Sequence, residues 1–304
     1  MRKKLLIIGG TGFIGYHLAK KCLLKNYSIT SLSYHKPKKK RFLNKIKYLE
    51  CDISKKYLLK KKLKDKFDYV VNLGGYVNHK EKIKTYNAHY IGCKNLADIF
   101  LKKKINSFIQ IGSCVEYGFN KSPQKENTIT KVNDIKSTYG QAKLLATNYL
   151  INLYKENKFP CKILRFYMVY GPRQDANRLI PTTIKSCLLD KKFPCSSGNQ
   201  LRDFLYVDDA VSAIIKCLEN SNLNGKIFNI ASGVPYKVKD IIELIKNKIS
   251  LGKPIYGKIK LRKDEIKILY PNISEAKKKL NWKPIVSIKD GINLTINNFK
   301  KDIK

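Results

Sequence analysis

The sequence predicts an α/β protein in which a doubly wound parallel sheet is followed by a smaller carboxy-terminal lobe. Two observations support the sheet: short runs rich in Ile, Val, Tyr and Phe alternate with helical patterns, and the first run ends in a glycine-rich turn that opens a helix. Strands buried on both faces give such apolar runs, and the intervening helices cover a parallel sheet. A third observation indicates where the lobe begins: after "VYGPR" the regular alternation of strands and helices gives way to loops and shorter elements.

The elements alternate in order along the first half of the chain. The predicted strands are "KLLIIGG", "SITSLS", "IKYLECDIS", "FDYVVNLGG", "SFIQIGSC" and "CKILRFYMVYG". The predicted helices between them are "GFIGYHLAKKCLLKN", "KKYLLKKKLKD", "AHYIGCKNLADIFLKKK" and "STYGQAKLLATNYLINLYKEN". No internal repeat or low-complexity linker interrupts this alternation, so we do not divide the chain into independent domains.

The turn "GGTGFIG" has the glycine spacing G-x-x-G-x-x-G. Gly9 allows the tight turn, Gly12 lets the backbone approach a pyrophosphate, and Gly15 lets helix and strand pack closely. The pyrophosphate then lies at a helix N-terminus, where unpaired N–H groups favour an anion. Because the turn follows an apolar strand and opens a helix, it predicts a Rossmann-type dinucleotide site, with Phe13 and Ile14 among the contacts.

The end of the second predicted strand bears on the choice of cofactor. An NAD-binding chain usually has an acid there, which accepts hydrogen bonds from the ribose 2′-hydroxyl. This chain has Ser33, followed by His35 and Lys36. A carboxylate would repel a 2′-phosphate, whereas a hydroxyl next to cations accommodates it. The sequence therefore predicts NADP(H), with NAD as the less favoured cofactor.

Four further residues complete the predicted cofactor site. Asp52 and Ile53 follow the third strand, where they are expected to contact the adenine ring. Leu73 and Gly74 end the fourth strand. Ligands of open α/β sheets bind outside the carboxyl ends of the strands, which is where these residues fall.

The boundaries of the two parts follow from the same reading. Residues 1–171 are predicted to form the dinucleotide-binding domain, and residues 205–234 to return to it, since "GKIFNIAS" reads as a late strand of the large sheet. Residues 172–204 and 235–304 are predicted to form a substrate-binding lobe that closes over the carboxyl ends of the strands.

Length and composition exclude several classes of protein. The 304 residues, of which 43% are hydrophobic, are enough for a large α/β unit with a small lobe. The apolar run in "MRKKLLIIGG" is too short for a secretory signal, and no run approaches a membrane span. We therefore expect a cytoplasmic protein with no membrane insertion.

The cysteines and the net charge have simple interpretations. The eight cysteines form no Cys-x-x-Cys pair and have no histidine cluster beside them, so we expect reduced packing residues and no metal site.

The formal charge of +39 could indicate nucleic acid or an anionic membrane. However, the lysines are scattered along the chain without interleaved aromatic residues, which favours solvated faces and no nucleic-acid partner. Such a surface would still attract an anionic substrate.

The segment "STYGQAK" supplies a candidate catalytic pair. Tyr139 and Lys143 are four residues apart in a predicted helix, hence on one face. A tyrosine with an ordinary pKa near 10 is a poor base, but a lysine cation and an oxidised nicotinamide stabilise its phenolate. Ser113 ends the strand in "QIGSC", where its hydroxyl can bond the same substrate oxygen. The glycine turn upstream favours a catalytic role over a packing tyrosine and a surface lysine.

The ordered motifs resemble the extended short-chain dehydrogenase/reductase family that acts on nucleotide sugars, also described as the NAD-dependent epimerase/dehydratase family. The motifs are "GGTGFIG", "GSCVEYG", "YGQAK", "LRFYMVYGPR", "LRDFLYVDDAVSAI" and "LNWKP", and they cover nearly the whole chain. The resemblance implies that Tyr139 is the acid/base, that Ser113 orients the reacting oxygen, and that Lys143 holds the nicotinamide ribose. It also implies that Arg202 and Arg262 reach the nucleotide diphosphate, for which guanidinium groups are suited.

Two positions at which this chain differs from its relatives limit which reaction of the family it can catalyse. Dehydratases that resemble the chain have acids two or three places before the Tyr-Gly pair, where this chain has Cys114 and Val115; the only acid is Glu116. Many relatives, including 4-epimerases, have Asn at the position of Met168. The Glu-Tyr-Gly ending looks most like 4-ketoreductases that make CDP-linked dideoxyhexoses, such as abequose synthase. The sequence does not define the nucleotide base.

We therefore expect an NADP(H)-dependent nucleotide-sugar oxidoreductase that reduces the C4 keto group of an NDP-4-keto-6-deoxyhexose. The alternative is an NDP-sugar 4-epimerase similar to UDP-glucose 4-epimerase. A second alternative is a non-catalytic nucleotide-binding scaffold, against which the serine, tyrosine and lysine argue. The family also implies a homodimer, formed through the helices around 90–102 and 139–154.

Overall fold

The computed structural model describes residues 2–261 and 265–303. The strands are β1 (Lys4–Ile8), β2 (Ser28–Ser33), β3 (Ile46–Glu50), β4 (Tyr69–Asn72), β5 (Ser107–Ser113), β6 (Cys161–Phe166), β7 (Met168–Tyr170), β8 (Lys192–Pro194), β9 (Leu201–Tyr206), β10 (Ile227–Ile230), β11 (Pro235–Lys237), β12 (Lys253–Ile255) and β13 (Ile268–Leu269).

The helices are α1 (Phe13–Leu24), α2 (Lys56–Lys62), α3 (Lys82–Tyr86), α4 (Gly92–Leu101), α5 (Thr138–Asn157), α6 (Leu179–Leu188), α7 (Val207–Leu218), α8 (Val238–Ile249), α9 (Ser274–Lys279) and α10 (Ile288–Ile303). A π-helical turn, Asn87–Ile91, joins α3 to α4, so the first residues of the predicted helix "AHYIGCKNLADIFLKKK" are π-helical and another helix, α3, precedes them. Such π-turns occur frequently at functional sites.

The central sheet has seven parallel strands in the order β3-β2-β1-β4-β5-β6-β10. The chain runs outward from β1 to β3, then returns and continues on the other side through β4. This reversal leaves a crevice at the carboxyl ends of β1 and β4, where ligands of such sheets bind. The predicted doubly wound α/β fold is confirmed.

Alternate residues of β1 show how helices cover both faces of the sheet. Leu5 and Ile7 belong to one hydrophobic core, in which α1 and α7 pack. Leu6 and Ile8 belong to the other, which contains residues of α4 and α5. All four side chains are at most 1% exposed. Complete burial on both faces explains why the strand reads as a continuous apolar run.

The later part of the chain forms smaller sheets beside the large one. β9 lies between β11 and β13 and also pairs with β7, while β8 pairs with β12. β10 joins the central sheet next to β6, with Ile227 opposite Ile163. The boundaries of the domain and lobe given above stay a prediction, because β9 connects segments on both sides of the division at residue 204.

The described residues include neither a membrane-spanning helix nor a metal-binding cluster of side chains. In residues 2–261 and 265–303, no helix has the length and apolar character needed to cross a membrane. Over the same residues, His, Cys, Asp and Glu side chains form no group of three or more that could hold a metal ion.

Candidate active site

The glycine turn forms a cradle between β1 and α1. Gly9 has a φ of +76°, and a Cβ there would lie 2.9 Å from the carbonyl carbon and oxygen of Leu73. A Cβ on Gly15 would overlap the Gly9 carbonyl oxygen. Gly12 is the N-cap of α1 and offers no capping side chain, so the first N–H groups of this helix stay available. These features fit a pyrophosphate, which such N–H groups and the helix dipole bind.

Ser33 is the last residue of β2 and is buried beside this turn. Its hydroxyl accepts a hydrogen bond from the Thr11 N–H at 3.3 Å, which places the side chain at the cradle. The neighbouring strand brings an acid that the linear sequence did not reveal, since Glu50 is the partner of Ser33 in the β2–β3 register. The end of β2 therefore has no carboxylate of its own, but one lies on the next strand.

The cations after Ser33 differ in their availability to a ligand. His35 is exposed and packs edge-on against the ring of Tyr34 at 4.7 Å between centroids. Lys36 is exposed and lies 3.8 Å from a carboxylate oxygen of Glu50. Arg41 is buried and donates to the carbonyl of Arg173, so it ties two loops together. His35 and Lys36 are therefore both accessible to a ligand, as are the exposed lysines 38–40 that follow them.

The remaining predicted cofactor residues line the ends of β3 and β4. Ile53 is 7% exposed and packs against Gly74, since a Cβ on Gly74 would lie 3.2 Å from the Ile53 side chain. The Asp52 carboxylate caps its own turn by accepting the Ser54 N–H at 2.9 Å. Leu73 is half-buried against Gly9. Leu73 and Gly74 adjoin the cradle and Ile53 packs against Gly74, while the contacts of all four residues with a cofactor stay a prediction.

Ser113, Tyr139 and Lys143 come together from two elements. Ser113 ends β5, and Tyr139 lies in the first turn of α5, which Ser137 caps by accepting the Gly140 N–H at 3.1 Å. The Ser113 side chain lies close enough to the Tyr139 hydroxyl to lower the pKa of the phenol. Lys143 Nζ lies 5.9 Å from the centroid of the Tyr139 ring and donates to the Ile111 carbonyl at 2.7 Å.

Burial determines the protonation of this group. It raises the pKa of Tyr139 to about 12, and the hydrogen bond from Ser113 acts in the opposite direction. Burial also lowers the pKa of Lys143, while the negative charge of Glu116 raises it. Tyr139 is therefore a phenol at neutral pH, which is the state that a proton donor needs.

Two of the four histidines of the chain contact Tyr139, and sequence reasoning missed both. His79 stacks face to face on the phenol ring, with centroids 4.0 Å apart. His89 meets the ring edge-on at 4.8 Å and is 6% exposed. Gly75 makes room for it, since a Cβ there would overlap the imidazole. His89 lies in the π-helical turn, and no local pattern pointed to it.

Burial keeps His89 uncharged. Desolvation lowers its pKa well below the usual value, and the nearby Lys143 cation lowers it further. Its Nε2 lies 3.3 Å from the backbone nitrogen and 3.2 Å from the carbonyl oxygen of Tyr76. Within the described part of the chain, its buried Nδ1 has no hydrogen-bond partner.

Of the two arginines predicted to bind the substrate, Arg202 lies within the described residues. Arg202 lies in β9, is 7% exposed and forms an ion pair with Glu265. It also donates to the Leu201 carbonyl at 2.7 Å. Arg262 lies outside the described residues. Met168, at the start of β7, is 36% exposed.

The fold and this group of residues define a dinucleotide-dependent enzyme of the short-chain dehydrogenase/reductase class. Residues 5–231 match the model of the NAD dependent epimerase/dehydratase family. The match covers more than half of the chain, so the protein belongs to this family, and the predicted family is confirmed.

Several relatives and solved structures span the whole chain. UDP-glucuronic acid decarboxylase 1 of Xenopus tropicalis is 26% identical over 100% of this chain and 73% of the relative. The structure of UDP-glucose 4-epimerase from Thermotoga maritima with UDP-glucose has a TM-score of 0.92 at 26% identity, over 99% of this chain and 100% of the other. UDP-glucuronic acid 4-epimerase from Bacillus cereus, in complex with UDP-glucuronic acid and NAD, has a TM-score of 0.86 at 25% identity, over 98% and 99%.

Proposed function

We propose that the protein is an NADP(H)-dependent nucleotide-sugar reductase that converts the C4 ketone of an NDP-4-keto-6-deoxyhexose to an alcohol. Bound NADPH would supply the hydride at the carbonyl carbon. The Ser113 hydroxyl donates a hydrogen bond to the ketone oxygen, and the Tyr139 hydroxyl gives its proton to that oxygen. Lys143 holds the nicotinamide ribose and stabilises the phenolate left on Tyr139.

The observation that carries this proposal is the meeting of Ser113, at the end of β5, with Tyr139 and Lys143 of α5, which gives a ketone oxygen two hydroxyl donors beside a lysine. Burial raises the pKa of Tyr139 to about 12, so the phenol keeps its proton until a substrate oxygen takes it. A reductase begins with this acid and an uncharged reduced nicotinamide, which leaves the pKa of the phenol high. An epimerase begins by removing a proton from a sugar hydroxyl, which requires the positive charge of an oxidised nicotinamide nearby.

The surroundings of Ser113 argue against dehydration. Cys114 and Val115 lack a carboxyl group, and Glu116 is 0% exposed and paired with Arg165. A carboxylate in that position does not reach a substrate in the crevice. Among the described residues, the turn after Ser113 therefore offers no exposed carboxyl group for removing a sugar hydroxyl.

The substrate end of the site fits an anionic nucleotide. Arg202 has its guanidinium paired with Glu265, which a diphosphate would replace or join. We propose the same function for Arg262. The positive charge of the whole chain favours the approach of such a substrate.

The second candidate is a 4-epimerase, which two observations favour. The Thermotoga maritima UDP-glucose 4-epimerase superposes over nearly the whole chain. Glu50, beside Ser33, is a carboxylate that could accept a hydrogen bond from a ribose hydroxyl of NAD.

The deciding measurement is the loss of NADPH absorbance with a nucleotide-linked 4-keto-6-deoxyhexose. We expect stoichiometric oxidation of NADPH. Interconversion of UDP-glucose and UDP-galactose without oxidation of NADPH would establish the epimerase instead. Binding of a dinucleotide with neither reaction would revive the non-catalytic scaffold.

The matched variant for this experiment is Tyr139→Phe. It removes the proton donor and little else, so turnover should be abolished while the affinity for NADPH stays near that of the wild type. Retention of more than about a tenth of wild-type turnover would place the acid elsewhere.

A further inference from the structure

A fully buried carboxylate lies directly beneath the catalytic group. Glu116 is 0% exposed, in a 3-10 turn that follows β5. One carboxylate oxygen accepts the Ser113 N–H at 2.7 Å, and the other accepts the Thr147 hydroxyl at 2.8 Å. The sequence showed this residue only as an acid before Tyr117. The fold makes it a direct partner of Ser113.

Arg165, from β6, forms an ion pair with this carboxylate. Its Nε donates to Glu116 at 2.9 Å, and its guanidinium carbon lies 4.4 Å from the centroid of the Tyr117 ring. Arg165 is 4% exposed, so the ion pair is shielded from water. Breaking a buried pair on one side leaves an uncompensated charge, which strongly destabilises the fold.

The backbone is adapted to hold the carboxylate in place. A Cβ on Gly112 would lie 2.5 Å from the Glu116 oxygen that accepts the Ser113 N–H. Only a residue without a side chain leaves this space, and Gly112 directly precedes Ser113. The turn is also closed reciprocally, since the Ser113 hydroxyl accepts the Val115 N–H at 3.5 Å.

Helix geometry brings the same carboxylate close to Lys143. Thr147, which donates to Glu116, is one helical turn beyond Lys143 on α5, so both side chains are on one face. Lys143 is 5% exposed and lies away from bulk water. The titratable or charged groups that face it are Glu116, Cys93, His89 and Tyr139, with Arg165 behind Glu116.

We propose that Glu116, held by Arg165, is a positioning residue that fixes Ser113 through its amide and supplies the negative charge that balances Lys143. This inference rests on the proposed roles of Ser113 and Lys143. It assigns to the acid of the Glu-Tyr-Gly segment a function beneath the site instead of contact with the sugar.

The proposal makes a signed prediction for pH dependence. Burial lowers the pKa of Lys143, and Glu116 opposes that effect. Without the carboxylate, Lys143 loses its proton at a lower pH. The alkaline loss of NADP⁺ affinity and of kcat/KM should then both begin at a lower pH than in the wild type.

The test uses the double variant Glu116→Gln with Arg165→Met. Replacing both members of a buried pair by neutral groups of similar size preserves folding far better than removing one. The glutamine Oε1 can still accept the Ser113 N–H. We expect a folded protein whose alkaline limb, in NADP⁺ binding and in kcat/KM, moves down by about one pH unit, or about a tenfold loss at the alkaline end.

Thr147→Val is the matched control, because it removes a hydrogen bond to Glu116 but keeps the charge; its alkaline limb should stay where it is in the wild type. An unchanged limb in the folded double variant would overturn the proposal, as would an equal shift in Thr147→Val. The binding titration contains no sugar. Absence of ketone reduction by the wild type, which overturns the proposed function, therefore leaves this result interpretable.

Discussion

At the scale of single residues, the cofactor preference depends on Ser33 and its neighbours. The hydroxyl of Ser33 faces the glycine turn, while Lys36 and Glu50 bring opposite charges to the same corner. The structure with NAD among the comparisons shows that a related fold binds the unphosphorylated cofactor. The preference of this chain for NADP(H) is therefore a proposal that has to be tested on these residues.

We predict that wild-type protein binds NADPH at least about tenfold more tightly than NADH, or about 1.4 kcal/mol. Ser33→Asp should reverse the preference, because its carboxylate would repel the 2′-phosphate. Ser33→Asn introduces a side chain as large as aspartate but without its charge, so it should not reverse the preference. Direct titration checks both variants, and equal affinities in the wild type would contradict the prediction.

The contact between Gly75 and His89 controls how closely the imidazole approaches Tyr139. Gly75→Ala should push the imidazole of His89 against Tyr139 and lower kcat by about tenfold or more, since small displacements of catalytic groups are costly. His89→Asn shortens the side chain and makes room for the methyl group. The double variant should therefore recover activity relative to Gly75→Ala alone. Wild-type kcat in Gly75→Ala would show that the contact has no role in turnover.

At the scale of elements, strand β6 carries a buried charge that the catalytic site does not use. Lys162 is 0% exposed, and its Nζ donates to the Ser107 hydroxyl at 2.9 Å. Burial lowers its pKa from 10.5 to about 8. Below that pH the folded state holds an unpaired cation, and between the two values the unfolded state binds more protons. Wild-type stability from this group therefore rises with pH over that range.

Lys162→Met should raise the free energy of unfolding at neutral pH by about 2 kcal/mol, after allowance for the lost hydrogen bond. The gain should be complete below a pH of about 8 and disappear near 10.5. Chemical denaturation over this pH range measures it. Lys226→Met, at an exposed lysine, is the control and should change stability by less than about 0.5 kcal/mol. A Lys162→Met variant less stable than wild type at neutral pH would contradict the prediction.

At the scale of the whole molecule, the charge of +39 is spread over exposed lysines. Several of them pair with acids at the surface, as Lys47 does with Asp65 at 2.8 Å, and such pairs contribute little to stability. The distribution is consistent with solvated faces. A homodimer through the helices around 90–102 and 139–154, a cytoplasmic location and the absence of a nucleic-acid partner stay predictions.

The sequence by itself determined the doubly wound sheet, the glycine turn and the family, because these depend on local patterns. An apolar run with a helical stretch after it, or a tyrosine four residues before a lysine, can be read from adjacent positions. The order of the motifs along the chain then limited the family.

The tertiary structure alone decided which distant residues surround the site. Glu50 lies beside Ser33 because β2 and β3 pair, and His89 reaches Tyr139 because a π-helical turn packs against α5. Arg165 meets Glu116 across 49 residues of chain. Such contacts arise when separate elements bury a common core, and no local spacing encodes them. Whether Glu116 faces the substrate or supports Ser113 from below was therefore decided only by the packing of β5, β6 and α5.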